Sequence, residues 1–460
     1  MQWDKSCLMK ARLVSDGGRI TLDDLTTVVD EANYSVSQPG FMGETLVFAG
    51  DHDACDFSNF HQFPNGGSDA SVGQITDEST EFGEAHWVFG QCRWQSLSNS
   101  NLVAVETTFE GDRLVEISLE HGITRRVDHL FASVSHLSRD GEGILFVAGF
   151  EDRAPQICRL NLESFEISFD LNGPAGNDEH DETVSVLWTQ SPMPIEYPTS
   201  DGASAHAYFY PPKNTLYQAP EGEKPPLMVL VHGGPTSRSS KEFSPLKQYF
   251  VSLGYALLDI NHRGSTGYGR QYRQKLKGAW GEIDAGDIAD GIRYVVDQGL
   301  ADANRVLIRG GSAGGYAVLR ALTEYGELFA GGACYYGIGN LITLSEITHK
   351  FESRYTDGLI GEPYAAETAS RTTSRYHQRS PIFQIDKLRS PLILFQGLDD
   401  KVVPPAVSQE VVESLKKKNL THEYHEYANE GHGFKMAATK IDSLTRETAF
   451  FARIINAESS

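Results

Sequence analysis

An all-β part followed by an α/β part with a mostly parallel sheet is the fold class this sequence predicts. Three observations carry it. Up to about residue 185, short alternating apolar runs are punctuated by polar turns, with no helix-length pattern between them. From about residue 190, strand-like runs alternate with helix-length amphipathic segments, the signature of parallel strands joined by covering helices. Within that second half, Arg305-Val306-Leu307-Ile308 leads into Gly310-Gly311-Ser312-Ala313-Gly314-Gly315 and then a helix-like run, Ala317–Leu322. Domains are accordingly placed at 1–185 and 186–460, with the acidic, turn-rich stretch Asn177–Glu182 as the linker.

In the first half the expected strands are Thr45–Ala49, Leu102–Glu106, Leu114–Ser118, Ile144–Ala148 and Gln156–Leu160. Turns are expected at Glu110-Gly111-Asp112 and Arg139–Gly143. The strand-and-turn pattern returns at intervals of roughly 45 residues, the size of a four-stranded propeller blade. About three such units fit, with a partial one at the start, so the reading is an incomplete β-propeller of three to four blades. An irregular β-sandwich is the alternative that the pattern leaves open.

In the second half the expected strands are Ala205–Tyr210, Leu227–Val231, Ala256–Ile260, Val306–Ile308, Gly332–Tyr336, Leu392–Phe395 and Glu423–Tyr427. The expected helices are Ile283–Asp297, Ala313–Glu324, Ala406–Lys418 and Leu444–Ile455.

Composition narrows the function classes. The chain has 460 residues and a formal net charge of -22, which argues against nucleic acid as a partner. Its five cysteines, Cys7, Cys55, Cys92, Cys158 and Cys334, are scattered and form neither a disulfide framework nor zinc-ligand spacing. The N-terminus lacks the apolar core of a signal peptide, and no apolar run is long enough to span a bilayer. A cytoplasmic protein, without a membrane partner, is expected.

The chemistry centres on Ser312. Placed on a sharp turn between strand and helix, a serine flanked by glycines reads as a nucleophile elbow; the other reading is a glycine-rich turn with an incidental serine. Side chains at Gly310, Gly314 or Gly315 would crowd the neighbouring strand and helix. A serine hydroxyl needs a positioned base, and the base needs a carboxylate to orient it. In this fold the three follow in the order serine, acid, histidine. The chain supplies Gln396-Gly397-Leu398-Asp399-Asp400 after one strand and Gly431-His432-Gly433-Phe434 after the next. The order is that of an α/β-hydrolase. Val231-His232-Gly233-Gly234-Pro235 closes another strand and matches a loop that lends a backbone N–H to an oxyanion, with the second N–H expected from Ala313. His232 reads as a structural histidine bracing that loop. His422 and His425 lie in a strand-like run, and a metal cluster with His432 lacks a completing cysteine or carboxylate. Neither metal nor cofactor is expected.

The segment Pro225–Asn456 resembles the catalytic domain of the prolyl oligopeptidase family, most closely its acylaminoacyl-peptidase and dipeptidyl-aminopeptidase-like branch. The matching stretches are His232–Pro235, Asn261–Gly269, Gly310–Gly315, Phe395–Pro405 and Gly431–Phe434. The resemblance implies Asp400, three residues after Gly397, as the acid rather than Asp399. It implies a substrate pocket beside His349–Tyr355, and the pocket is assigned to Tyr336, Phe351, Arg354, Tyr355 and Val403. Glu81-Phe82-Gly83 and His86–Gly90 are similar to a propeller stretch of the same branch. Met1–Asp4 resembles a mid-propeller stretch, which implies that the leading blades are missing: either the chain is a fragment or mis-started gene product, or the protein works with an incomplete cap and a widened entrance. Unpaired strand edges then predict a homodimer.

Two readings of the reaction follow: hydrolysis of short peptides, or hydrolysis, cyclisation or condensation of a small ester, amide or thioester in a small-molecule biosynthetic pathway. A third, a non-catalytic interaction protein on a damaged hydrolase, is opposed by the intact triad.

Overall fold

The computed structural model describes residues 5–64, 71–84, 90–169, 189–348, 350, 352 and 354–457. Outside these lie Met1–Asp4, the expected linker Asn177–Glu182, His86–Phe89 and the pocket residues His349, Phe351 and Ser353. The chain divides into two compact units. One is Met1–Glu182 with Ser240–Phe243 and Thr266–Arg273, and the other is Thr183–Ser239, Ser244–Ser265 and Gln274–Ser460.

The first unit is all-β among its described strands. A hairpin, Leu8–Asp16 with Arg19–Val29, precedes three four-stranded antiparallel sheets. These run Ser35–Met42 to Gly73–Gln74, Trp94–Ser96 to Gly122–Arg126, and Ser133–Asp140 to Ile167–Ser168, each in simple up-and-down order. They are blade-like sheets, with Phe48, Phe60, Val103, Phe146 and Leu160 among their fully buried side chains. The expected strands all form. Ser35–Met42 was not expected, because Pro39 and Gly40 make it read as a turn. It forms with a register shift between Ser37 and Gly40, and Trp94 supports it. The Trp94 indole N–H donates to the Gln38 carbonyl at 2.9 Å, and a Cβ on Gly40 would stand 2.7 Å from the indole ring.

Within this unit the Thr266–Arg273 segment is held by charge. Asp51 accepts from Arg270 at 2.6 Å and from Arg273 at 2.8 Å. Glu81 accepts the Gly269 N–H at 3.2 Å and the Ser58 N–H at 2.8 Å. Burial pushes the Glu81 carboxyl up to about 7, against the pull of Arg273. A raised folded-state value means that the folded chain binds the proton more tightly than the unfolded one. Stability from this group is therefore full below the ordinary carboxylate range, falls as pH rises, and levels off once pH passes the folded value. Glu81→Gln should remove a loss on the order of 3 kcal/mol between about pH 4.5 and 7. Urea unfolding of both proteins across that range checks it; parallel pH profiles would show that Glu81 does not titrate there.

The second unit contains an eight-stranded sheet. In chain order its strands are β1 (Met193–Pro198), β2 (Ser204–Tyr210), β3 (Leu227–Val231), β4 (Ala256–Asn261), β5 (Val306–Gly311), β6 (Gly331–Tyr335), β7 (Leu392–Gly397) and β8 (His422–Tyr427). They lie side by side as β1-β2-β4-β3-β5-β6-β7-β8. β2 pairs antiparallel with both β1 and β4, and the neighbours from β4 to β8 run parallel. Central strands such as Leu227–Val231 and Ala256–Asn261 are buried at every position, as a sheet covered on both faces requires. One apolar layer joins Val229, Ile308 and Leu394 to the helices Ile283–Asp297, Ala313–Glu324 and Pro405–Lys417. The other joins Leu257, Leu307 and Phe395 to Pro245–Ser252 and Ala437–Ala457. Several elements here were not expected, among them β1 and the helix Pro245–Ser252. β1 carries Pro194 and Pro198, tolerated because it is the outermost strand, where missing N–H donors cost least. The helix Pro245–Ser252 had a sequence signal, Ser244-Pro245. Ser244 caps it by accepting the Lys247 N–H, with proline in the first turn.

Among the described residues, no helix is long and apolar enough to cross a membrane.

Candidate active site

The sharpest local feature is the turn between β5 and the helix Ala313–Glu324. Ser312 sits there at φ 58°, ψ -124°, a conformation that costs a non-glycine residue about 1–3 kcal/mol. Its neighbours must be glycine. A Cβ on Gly310 would lie 2.5 Å from the Gly314 carbonyl oxygen, and one on Gly314 would lie 2.3 Å from the Val231 carbonyl oxygen. A Cβ on Gly315 would meet the Gly337 Cα at 2.7 Å. The turn is thus wedged between β3 and β6. The Ser312 N–H donates to the Tyr335 carbonyl at 3.0 Å.

The acid and histidine loops are fastened to each other. Asp399 N–H donates to the Glu430 carbonyl at 2.9 Å, and Gly397 packs so closely that a Cβ would stand 2.4 Å from that same oxygen. Asp400 points inward and is 4% exposed, whereas Asp399 faces solvent. The His432 Nδ1–H donates to Asp400 Oδ2 at 2.8 Å. Asp400 Oδ1 accepts the Val402 and Val403 N–H groups at 2.8 and 2.9 Å, so both carboxylate oxygens are spoken for. The Glu430 carboxylate shapes the histidine loop from below, accepting the N–H groups of Lys435 and Met436 at 2.8 and 2.9 Å. Nothing in its sequence surroundings singles it out.

Tyr336 links the Ser312 turn to His432. Its ring centre is 4.9 Å from that of His432, and a Cβ on Gly311 would come within 3.0 Å of the tyrosine ring. It holds φ at 38°, unusual for a tyrosine, while its N–H donates to the Phe395 carbonyl at 2.7 Å.

The loop after β3 approaches from the other side. A Cβ on Gly233 would lie 3.6 Å from the Ser312 Cβ, and Gly234 takes φ 126°. His232 is bonded at both ring nitrogens: Nδ1 lies 2.7 Å from the Gly233 carbonyl oxygen and Nε2 lies 2.8 Å from the Ser265 hydroxyl. Its ring stacks on His262 at 4.8 Å. Burial, with His262 alongside, pushes its imidazole down to about 3, so it is neutral at working pH. The imidazole therefore donates from Nδ1 to the carbonyl, while Nε2 faces the Ser265 hydroxyl, which also lies 2.7 Å from the His262 carbonyl oxygen. This fixes the Gly233–Gly234 peptide plane, and the Gly234 N–H points opposite to the anchored carbonyl.

The other residues assigned to the pocket are placed unequally. The Tyr355 hydroxyl donates to Thr236 Oγ1 at 2.7 Å and accepts the Thr236 N–H at 3.3 Å, which ties it to the same glycine loop. Val403 is 1% exposed and packs with Ala313, Ile338 and Leu341. The Arg354 side chain is 76% exposed and paired with Asp357 at 3.0 Å. His422 bonds the Leu420 carbonyl and His425 stacks on Phe395, both on β8.

Residues 241–458 match the prolyl oligopeptidase family. This segment is a prolyl oligopeptidase family domain. The chain is 31% identical over 58% of its length to dipeptidyl peptidase family member 6 of Caenorhabditis elegans, covering 38% of that protein. It is 32% identical over 52% of the chain to dipeptidyl aminopeptidase BIII of Pseudoxanthomonas mexicana, covering 35% of it. The chain thus spans well under half the length of either relative. Among solved structures, a puromycin hydrolase aligns over 99% of this chain and 66% of its own, at 28% identity and a TM-score of 0.89. A puromycin-hydrolyzing peptidase of Mycobacterium tuberculosis aligns over the same shares at 31% identity and a TM-score of 0.86. Both likenesses extend through the blade-like sheets as well as the family domain.

Proposed function

We propose that the protein is a serine peptidase that cleaves short peptides by way of an acyl-enzyme. Ser312 is the nucleophile, His432 the general base and then acid, and Asp400 the group that orients the imidazole. The observation that carries this is the 2.8 Å bond from His432 to a buried Asp400, with the tyrosine against that imidazole lying also on the nucleophile turn. The Gly234 and Ala313 N–H groups are the oxyanion donors in this reading. Ala313 opens a helix, so its N–H has no partner within that helix. The relatives' names support peptide cleavage of the aminopeptidase type, and the resemblance noted in the sequence adds the acylaminoacyl-peptidase type.

The reaction runs in two halves. His432 takes the Ser312 proton as Oγ attacks the carbonyl carbon. The oxyanion collapses, the amine leaves with that proton, and water repeats the sequence on the acyl-enzyme. A fluorophosphonate probe should label Ser312 and no other residue. A panel of aminoacyl anilides against short-chain esters then separates the peptidase from an enzyme of small acyl substrates. Turnover of the esters alone would overturn the peptide reading.

The glycine loop yields a further expectation. His232→Leu removes the anchor of the Gly233 carbonyl and frees the peptide to turn. Acylation should slow roughly ten- to a hundredfold, less than the full loss of an oxyanion donor, with KM little changed. Stopped-flow acylation kinetics check it; an unchanged rate would mean that the loop holds its shape without the imidazole.

A further inference from the structure

Next to the nucleophile turn the second unit holds a cavity of about 810 Å³ to which the triad gives no role. It is bordered by Gly310 and Gly311, which precede Ser312, and by Val231 and His232 of the glycine loop. From there it extends between the sheet and the helices Pro245–Ser252 and Ala437–Ala457, with Leu246, Tyr249 and Leu444 in its wall. Tyr336 and Phe434 also line it. Tyr336 lies 4.9 Å from the His432 ring, and Phe434 packs edge-on against Tyr336 at 5.5 Å.

The chemistry of acyl transfer gives the two sides of such a site different occupants. The acyl carbon stays on Ser312 Oγ, and the departing atom must take its proton from the imidazole, so the leaving group lies on the histidine side. The cavity is on that side. Val403 and Ala313 belong to a separate apolar cluster, whereas Tyr336 and Phe434 pack on the one formed with the helix Ala437–Ala457. Gly311 keeps the cavity next to Ser312. A side chain there would collide with the Tyr336 ring or fill the space between.

Lys247, Asp259 and Arg309 in the wall are each neutralised by an ion pair. Lys247 pairs with Asp259 at 2.6 Å, and Arg309 pairs with Glu447 at 2.7 Å. What the wall offers is mainly aromatic and aliphatic surface, with the exposed Lys440 at the helix side. We propose that this cavity receives the leaving group of the substrate and selects a large apolar or aromatic one. In a peptide that is the residue on the amine side of the cleaved bond. The proposal rests on the hydrolase reading above.

The test uses the reverse entry of a leaving group. The full-length protein is acylated with an activated ester, and the acyl-enzyme is partitioned between water and an added amine, phenylalaninamide or glycinamide. In aminolysis the amine nitrogen bonds to the acyl carbon, the bond to Ser312 Oγ breaks, and the amine proton returns through His432 to Oγ. Phenylalaninamide should capture the acyl group roughly ten- to a hundredfold better than glycinamide, the expected return on burying its ring. In Leu444→Arg that ratio should fall towards one. Equal capture by wild type would overturn the proposal, and needs no variant to read. A wild-type preference that persists undiminished in a folded Leu444→Arg protein would also overturn it, by placing the binding elsewhere. Failure to form any acyl-enzyme would instead remove the hydrolase reading, and this proposal with it.

Discussion

Ser312→Ala is expected to abolish acyl transfer, with a loss of roughly 10⁴-fold or more, and to leave the fold unchanged. The loss is large because alanine leaves no oxygen at that position to attack the acyl carbon. The fold survives because the features that hold the turn are backbone ones. They are the Ser312 N–H bond to Tyr335 and the close approaches of Gly310, Gly314 and Gly315 to neighbouring backbone. Alanine keeps that N–H and has a Cβ in the same place. Burst kinetics on an activated ester, with circular dichroism and thermal unfolding of the same sample, decide it. Turnover comparable to wild type in a folded Ser312→Ala protein would remove Ser312 as the nucleophile.

Asp400→Asn is the second large effect, expected at roughly 10³- to 10⁴-fold in kcat, while Asp399→Asn should stay within a few-fold of wild type. Asp400 is the buried partner of His432 Nδ1, and its other oxygen is fixed by two backbone N–H groups. An asparagine there presents its NH2 either to those donors or to the imidazole. In the second arrangement the imidazole is driven to the tautomer with the proton on Nε2, where it cannot act as a base towards Ser312. Asp399 is exposed, and its structural link is its own backbone N–H to Glu430, which asparagine keeps. The two variants assayed side by side over pH 6–9 give the answer. If Asp399→Asn is the inactive one, the carboxylate that orients His432 has been misassigned by one position.

Sequence alone was informative wherever the physics is local. The glycines around Ser312 are legible because no other residue fits where backbone meets backbone within 3 Å. Parallel strands such as Leu227–Val231 are legible because burial on both faces demands an unbroken apolar run. The order of serine, acid and histidine is legible because each closes a strand at the same end of the sheet. The choice of Asp400 over Asp399 came from a resemblance; in the structure it is a matter of which carboxylate faces inward.

Tertiary structure decided what depends on a partner distant in the chain. Ser35–Met42 reads as a turn on its own residues and becomes a strand only because Trp94 fills the space over Gly40 and bonds Gln38. Nothing near Tyr336 in sequence calls for a positive φ; the Phe395 carbonyl on β7 holds its N–H, and the ring lies between Gly311 and His432. Glu430 looks like one more charged loop residue until its carboxylate is seen to gather the N–H groups of the histidine loop. The cavity behind Gly311 is bounded by side chains from four strands and two helices, spread over more than 200 residues from Leu230 to Leu444. Propensity and spacing act over a few residues, whereas a cavity wall is a sum over the whole packed chain. For that reason the sequence points to the chemistry at Ser312, and only the packed structure shows the space beside it.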